Sequence, residues 1–322
     1  MRVLVTGGAG YIGSVVTAQL LSEGHQVVVV DDLSTGHADA VPPGAEFHQL
    51  DVAALDPVLG DWGVEAVIHF AAKSLVGESV AEPARYWRTN VVGTVALLDS
   101  LRAHGIDRIV FSSSAATYGQ SKEQPIREDA PTAPTSAYGS SKLAVDLALA
   151  DYARAYGLGA ISLRYFNVAG ALRTPEGRYY GERHTTETHL IPNALRAASG
   201  TGEALPLFGT DYPTPDGTCV RDYIHVVDLA HAHVQSLGVA ASGIHQIVNL
   251  GSGSGNSVRE VLRTVRAVTG SDVPVAEAPR RPGDPPVLIA SNDRAADLLG
   301  WRPTLSLRAM VEDAWEFHNV TN

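Results

Sequence analysis

Short apolar runs alternate with longer amphipathic stretches over the first half of the chain. Residues 3–5, 27–30, 66–70, 108–111 and 160–163 are brief, rich in Val and Ile, and bounded by Gly or polar residues. Runs of that length and composition read as strands buried on both faces. Between them lie helix-length segments at 11–23, 83–104 and 136–156. Alternation of this kind predicts an α/β fold built on a doubly wound parallel sheet.

Past about residue 170 the texture changes. Residues 174–187 are rich in Gly, Arg, Thr and Tyr, lack a clear period, and read as a long loop or loosely structured insert. A helix is predicted at 191–198, then a Pro/Gly stretch at 206–217, then helices near 226–237, 258–268 and 307–317. The run Arg280-Arg281-Pro282-Gly283-Asp284-Pro285-Pro286 reads as a loop, because its prolines deny it both helix and central strand. No internal repeat or low-complexity tract is visible. The pattern predicts a nucleotide-binding domain over 1–174, rejoined by part of 218–250, and a smaller, looser α+β domain over 175–322.

Composition narrows the class. The chain has 322 residues, 45% hydrophobic and 18% charged, which suits globular domains and excludes a disordered, charge-rich chain. Lys plus Arg is 24 against 35 Asp plus Glu, a net charge of −11. That balance argues against nonspecific nucleic-acid binding while leaving room for a local basic pocket. Cys219 is the sole cysteine, so neither an intrachain disulfide nor a multi-cysteine zinc site is available. The N-terminal residues lack a secretory-signal pattern, and no stretch has the apolar length of a membrane helix. A reducing, cytoplasmic location is expected, with the sequon Asn319-Val320-Thr321 idle.

The first strand runs into Thr6-Gly7-Gly8-Ala9-Gly10-Tyr11-Ile12-Gly13, which then opens the first helix. Glycines there permit a tight turn and close approach of backbone to a pyrophosphate, and the helix N-terminus supplies free amides and a favourable dipole. The second strand ends at Asp31-Asp32, with Asp31 eighteen residues past Gly13. A carboxylate at that place accepts from ribose hydroxyls and repels a 2′-phosphate, so the cofactor expected is NAD rather than NADP.

Tyr138-Gly139-Ser140-Ser141-Lys142 begins a helix for which Ser136 is the expected N-cap. Positions four apart share a helix face, and a nearby ammonium favours phenolate over phenol. Tyr138 is therefore a candidate general base. The chain holds only three lysines, Lys73, Lys122 and Lys142, which makes a lysine at this spacing notable. Ser114 ends the strand of Phe111-Ser112-Ser113-Ser114, where doubly wound sheets bind ligands, and can hydrogen-bond a substrate hydroxyl.

Glycine loop, Asp31, strand-end serine and Tyr-x-x-x-Lys together resemble the extended short-chain dehydrogenase/reductase superfamily, with its Rossmann domain. Further stretches narrow the resemblance: His69-Phe70-Ala71-Ala72, Val76-Gly77-Glu78-Ser79-Val80, Leu163-Arg164-Tyr165-Phe166-Asn167, Asp211-Tyr212-Pro213-Thr214-Pro215-Asp216-Gly217-Thr218, Val220-Arg221-Asp222-Tyr223-Ile224-His225-Val226 and Arg280-Arg281-Pro282-Gly283-Asp284. These are similar to the UDP-glucose 4-epimerase family, nearly end to end. The resemblance implies an NAD-dependent isomerase with no net redox change, in which Tyr138 takes the proton of the sugar 4-hydroxyl, Ser114 holds that oxygen, and a 4-keto intermediate rotates before hydride returns. Tyr138 would have its pKa lowered by Lys142 and NAD⁺.

Carried over by motif, the NAD contacts would be Gly7, Gly10, Tyr11, Ile12, Gly13, Asp31, Asp32, Leu33, Ser34, Thr35, Gly36, Asp51, Val52, Phe70, Ala71, Ala72, Ser74, Thr89, Ser114, Tyr138, Lys142 and Phe166. The UDP-sugar contacts would be Ser114, Tyr138, Asn167, His189, Leu190, Phe208, Arg221, Tyr223, Arg281, Asp284 and Leu288. The arginines suit diphosphate oxygens. The family resemblance also suggests a homodimer, with segments 83–104 and 136–156 pairing as a four-helix bundle.

Three positions depart from the family pattern. Ala72-Lys73-Ser74 stands where many members read Gly-Leu-Lys, displacing the lysine by one. His189 replaces an asparagine, and Leu288 stands where members often carry tyrosine or a smaller residue. Tyrosine there would exclude N-acetylated sugars, so leucine predicts partial tolerance of them. His231, His233, His184 and His189 lack ligand companions at usual spacings and read as structural or surface residues, with no metal expected. Of the alternatives, a nucleotide-sugar 4,6-dehydratase needs an Asp-Glu pair where Ala115-Ala116 stands. An epimerase for another UDP-sugar, a nucleotide-sugar decarboxylase, a plain dehydrogenase with exchangeable cofactor, and a noncatalytic NAD-binding regulator remain as rivals.

Overall fold

The valine-rich runs form the middle of one parallel sheet. In a computed structural model that describes residues 1–121, 123–281 and 284–321, the strands are β1 (Arg2–Thr6), β2 (Gln26–Asp31), β3 (Glu46–Gln49), β4 (Ala66–His69), β5 (Arg108–Ser114) and β6 (Gly159–Tyr165), joined by His245–Leu250. Across the sheet the order is His245–Leu250, β6, β5, β4, β1, β2, β3. All neighbours are parallel. The order reverses between β1 and β4, and that switch opens a crevice at the carboxyl ends of the strands. Lys122 and the Pro282-Gly283 part of the loop expected at 280–286 lie outside the described residues.

Successive side chains of each central strand feed two different cores. Val3, Val5, Ile68, Val110 and Ile161 face one side, where helices Tyr11–Ser22 and Val226–Val239 pack. Leu4, Val28, Val67, Ile109 and Phe111 face the other, against Leu97 and Leu101 of Gly93–Ala103 and Val145 and Leu149 of Ala137–Tyr156. Period-2 alternation with both faces apolar gives a strand with no solvent face. A third core, including Ile191, Leu195, Val261, Val265 and Met310, joins helices Leu190–Ala198, Val258–Thr269 and Leu307–Thr321.

Several elements differ from the pattern read in the chain. β3, sequence Glu-Phe-His-Gln, is an edge strand with one apolar residue, so it carries no apolar run. The segment expected as one helix over 83–104 comprises Pro83–Tyr86, a π-helical stretch Trp87–Val92, and Gly93–Ala103. The expected loop over 174–187 contains Tyr179–Gly181, which pairs antiparallel with Ala171–Arg173. Leu205–Phe208, at the edge of the Pro/Gly stretch, pairs parallel with Val275–Ala278. Helix ends behave as their residues dictate: Ser136 accepts from the Gly139 amide at 3.1 Å and Gly157 ends the same helix at φ 78°.

That helix is fixed to the sheet by a buried charge pair. Arg164 on β6 donates through Nε and Nη2 to Asp146 Oδ2 at 3.0 and 2.8 Å, and the Ser113 hydroxyl donates to the same oxygen at 3.1 Å. Both charged side chains are 2% exposed. Removing one partner strands the other charge in the interior. Asp146→Ala is expected to destabilise the protein by about 3–5 kcal/mol, measured as a lowered urea midpoint by circular dichroism.

Candidate active site

A single cleft of about 1420 Å³ runs from the glycine loop, past the carboxyl ends of β4 and β5, to the arginines of the smaller lobe. Its nucleotide end is shaped by missing side chains. Gly7 sits at φ 73°, and a Cβ there would lie 2.6 Å from the Ala71 amide nitrogen. A Cβ on Gly13 would lie 2.2 Å from the Gly7 carbonyl oxygen. Gly10, by contrast, has only one atom near, Gly7 O at 3.3 Å, and no side chain caps the helix Tyr11–Ser22 that it begins. The first-turn amides and their dipole thus open on the cleft, the donor set a pyrophosphate needs.

Asp31 closes this end. Its carboxylate accepts the Ala9 amide at 3.0 Å and the Leu33 amide at 2.8 Å. Burial raises its pKa, opposed by those two amides. Each oxygen keeps acceptor capacity for a ribose hydroxyl. Loop, bare helix end and carboxylate fit an NAD molecule. Leu33 and Gly36 do not line the cleft; they support it. Leu33 takes φ 59°, and a Cβ on Gly36 would meet both Asp31 oxygens at 2.9 and 3.0 Å. The other residues expected at the site line the cleft.

At the centre, Ser114 ends β5 and its hydroxyl accepts the Ala116 amide at 3.1 Å; beside it stands the half-buried Tyr138, whose phenol pKa it pulls down. One turn along, Lys142 Nζ donates to the Ser112 carbonyl at 2.8 Å and lies 5.8 Å from the Tyr138 ring centre. Burial lowers the lysine to about 8, with Asp146 opposing. Here the structure corrects the sequence reading. Burial pushes the Tyr138 phenol up, with only the Ser114 hydrogen bond pulling down. The ammonium is spent on a carbonyl and does not by itself bring the tyrosine into the neutral range.

At the opposite end of the cleft, Arg221 Nη2 pairs with Asp284 at 2.5 Å, and the Arg281 guanidinium lies 4.1 Å above the Phe208 ring centre. Asn167 donates to the Asp222 carbonyl at 2.9 Å, and Tyr223 is buried beside them. His189 lies at the N-terminus of helix Leu190–Ala198. The reading of His184 and His189 as residues without ligand companions does not hold. Folding places both against the carboxylates of Glu182 and Glu187. These carboxylates hold His184 up at about 10 against its burial. His233 is buried and held down at about 4, a neutral core residue.

Residues 3–251 match the NAD dependent epimerase/dehydratase family. The chain belongs to that family. The UDP-glucose 4-epimerase of Corynebacterium glutamicum is 54% identical over 319 residues, covering 98% of this chain and 95% of its own. A UDP-glucose 4-epimerase from Brucella ovis, solved in complex with NAD, superposes with TM-score 0.93 at 46% identity, covering 98% of each chain. One from Stenotrophomonas maltophila, solved with NAD and formylated UDP-arabinopyranose, gives 0.95 at 39% identity, covering 100% of this chain and 98% of that one.

One positioning residue of this family member escaped the sequence reading. Asn90 lies buried in the π-helical stretch. Its side-chain oxygen accepts the Lys73 amide at 2.8 Å, and its amide donates to the Lys73 carbonyl at 3.0 Å and the Ser141 hydroxyl at 2.9 Å. It thereby ties the cleft loop after β4 to the helix that carries Tyr138. Lys73 reaches Ser34 across the nucleotide end at 3.4 Å. Asn90→Ala should lower stability by about 1–3 kcal/mol and weaken NAD retention, read by thermal melts with and without added NAD.

Proposed function

We propose that this protein interconverts UDP-galactose and UDP-glucose by transient oxidation at C4 of the sugar. The observation that carries the proposal is the adjacent Ser114–Tyr138 pair, set between a dinucleotide cradle and an arginine-bearing lobe in one cleft. The chain is an NAD-dependent isomerase in this reading, and the whole-length likeness to UDP-glucose 4-epimerases supports it. Residues 1–174 with the returning strand hold the cofactor, and 175–322 hold the UDP-sugar. NAD, when bound, supplies the acceptor for the C4 hydride and returns it.

The chain's own groups do the rest. Tyr138 takes the proton of the 4-hydroxyl while Ser114 hydrogen-bonds the same oxygen. Lys142 fixes the end of β5 through the Ser112 carbonyl and keeps a positive charge within reach of the phenol. Arg221 exchanges Asp284 for a diphosphate oxygen, and Arg281 provides the second cation. Anchoring the UDP alone leaves the sugar ring free to turn its other face. Ala115 and Ala116 open a short turn directly after β5, and neither can act as the acid or base that a dehydratase requires. Among the described residues no helix is long and apolar enough to cross a membrane, and a cytoplasmic location agrees with the single buried Cys219. A homodimer fits too: Trp87, Val92, Leu147 and Tyr156, all on the two segments proposed to form the bundle, are exposed.

Tyr138→Phe should lower kcat by about 10²–10⁴-fold while NAD stays bound; undiminished turnover would remove the tyrosine from the chemistry. Because the phenol is raised by burial, activity should rise with pH through an acid limb. Lys142→Met removes the bond that fixes the Ser112 carbonyl at the end of β5 and should lower kcat by loosening the strand end that carries Ser114. Leu288 lines the cleft, so slow turnover of UDP-N-acetylglucosamine is expected at high enzyme; its absence excludes that tolerance.

A further inference from the structure

The loop between Tyr179–Gly181 and helix Leu190–Ala198 carries Glu182-x-His184-x-x-Glu187-x-His189. One ligand atom from each of these four residues lies within 4.8 Å of all the others. His184 Nδ1 is 3.2 Å from Glu182 Oε1 and 3.4 Å from Glu187 Oε2. His189 Nδ1 lies 3.7 Å from Glu187 Oε1 and in close contact with Glu182 Oε1. The carboxylate side chains are 6% and 1% exposed. With neutral imidazoles the group carries two negative charges, and buried charge demands compensation. Two protons or one divalent cation would balance it.

Two details favour the cation. Glu187 divides its carboxylate: Oε1 accepts the Thr188 and His189 amides, both at 2.7 Å, while Oε2 faces His184. His184 Nδ1 is sealed from solvent yet makes no hydrogen bond, despite an oxygen on either side. A ring N–H shared with one carboxylate would be directed at it. A divalent cation placed between the two carboxylates would displace the ring proton and take that nitrogen's lone pair.

We propose that Glu182, His184, Glu187 and His189 bind one divalent transition-metal ion of the zinc class. Zinc bonds of about 2.0–2.2 Å set tetrahedral ligand atoms roughly 3.3–3.6 Å apart. The separations of 3.2, 3.4 and 3.7 Å bracket that spacing, while the direct His189–Glu182 hydrogen bond must open for the ion to enter. Two imidazoles with two carboxylates suit zinc better than calcium or magnesium, which take all-oxygen shells. Four protein ligands leave no open position, so the site is structural. It would brace a loop that joins both ends of the cleft. Arg183 in that loop makes a two-pronged bond to Asp39 at 2.9 and 2.6 Å, and its carbonyl meets His37 Nε2 at 2.9 Å. His189 and Leu190 line the cleft on the other side.

The test uses untagged protein, stripped with chelator and reloaded with zinc or cobalt. One zinc per chain by mass spectrometry, a raised melting temperature, and the intense visible spectrum of tetrahedral cobalt are expected. His184→Gln and Glu182→Gln should each weaken zinc binding by more than the roughly 10–100-fold that loss of an outer-shell partner causes. Binding no tighter than to bulk surface groups, or binding indifferent to both variants, would overturn the proposal in favour of a proton-balanced ion-pair network. If neither variant folds, the wild-type cobalt spectrum decides: weak, octahedral-type absorption is equally contrary.

Discussion

The geometry at the centre of the cleft depends on a buried ion pair that lies outside the cleft lining. Asp146 and Arg164, joined by Ser113, lock helix Ala137–Tyr156 against β5 and β6. Tyr138 and Lys142 lie on that helix, two turns and one turn before Asp146, and Ser112 and Ser114 lie on the strand beneath. One clamp therefore sets the distance between phenol, hydroxyl and ammonium. A surface pair would contribute little and would let the helix slide. Held in the interior, the same charges permit one register only. Asn90 adds a second brace from the other side, so the helix is fixed both to the sheet and to the loop after β4.

Electrostatics then divides the cleft. The chain is acidic overall, at −11, yet the sugar end gathers Arg221 and Arg281, and the nucleotide end offers uncapped amides. Asp31 is the carboxylate that closes the nucleotide end, held in place by Ala9 and Leu33 and backed by Gly36. Ser114, Tyr138 and Lys142 lie at the centre between them. Burial there holds the Tyr138 phenol up and the Lys142 ammonium down. On the proposed mechanism a further positive charge beside this tyrosine would favour the phenolate and tie proton removal to the assembled complex.

The central strands were readable because Val27–Val30 and their like announce a surface buried on both sides, and the glycine loop and Tyr138-x-x-x-Lys142 were readable because local geometry alone imposes their spacing. β3 was not, since an edge strand needs no apolar run. Asn90 was hidden because nothing in a helical segment foretells which polar residue the fold will bury. Leu33 and Gly36 were carried to the cofactor end by the family motif, and the structure sets both against the Asp31 carboxylate. The Glu182–His189 loop escaped because its alternation matches no helical ligand spacing; only the turn into helix Leu190–Ala198 brings its side chains together. The strength of the lysine's influence on Tyr138 was likewise a matter of three-dimensional burial, invisible to spacing.

Purified protein mixed with UDP-galactose, with no cofactor added, and followed by proton NMR addresses the whole scheme at once. UDP-galactose anomeric and H4 signals are expected to give way to those of UDP-glucose, toward an equilibrium mixture. A new 6-deoxy methyl signal would mean elimination of water and contradict the roles given to Ala115 and Ala116. A spectrum unchanged even after NAD⁺ is supplied would contradict the assignment of Tyr138, Ser114 and Lys142 to this sugar.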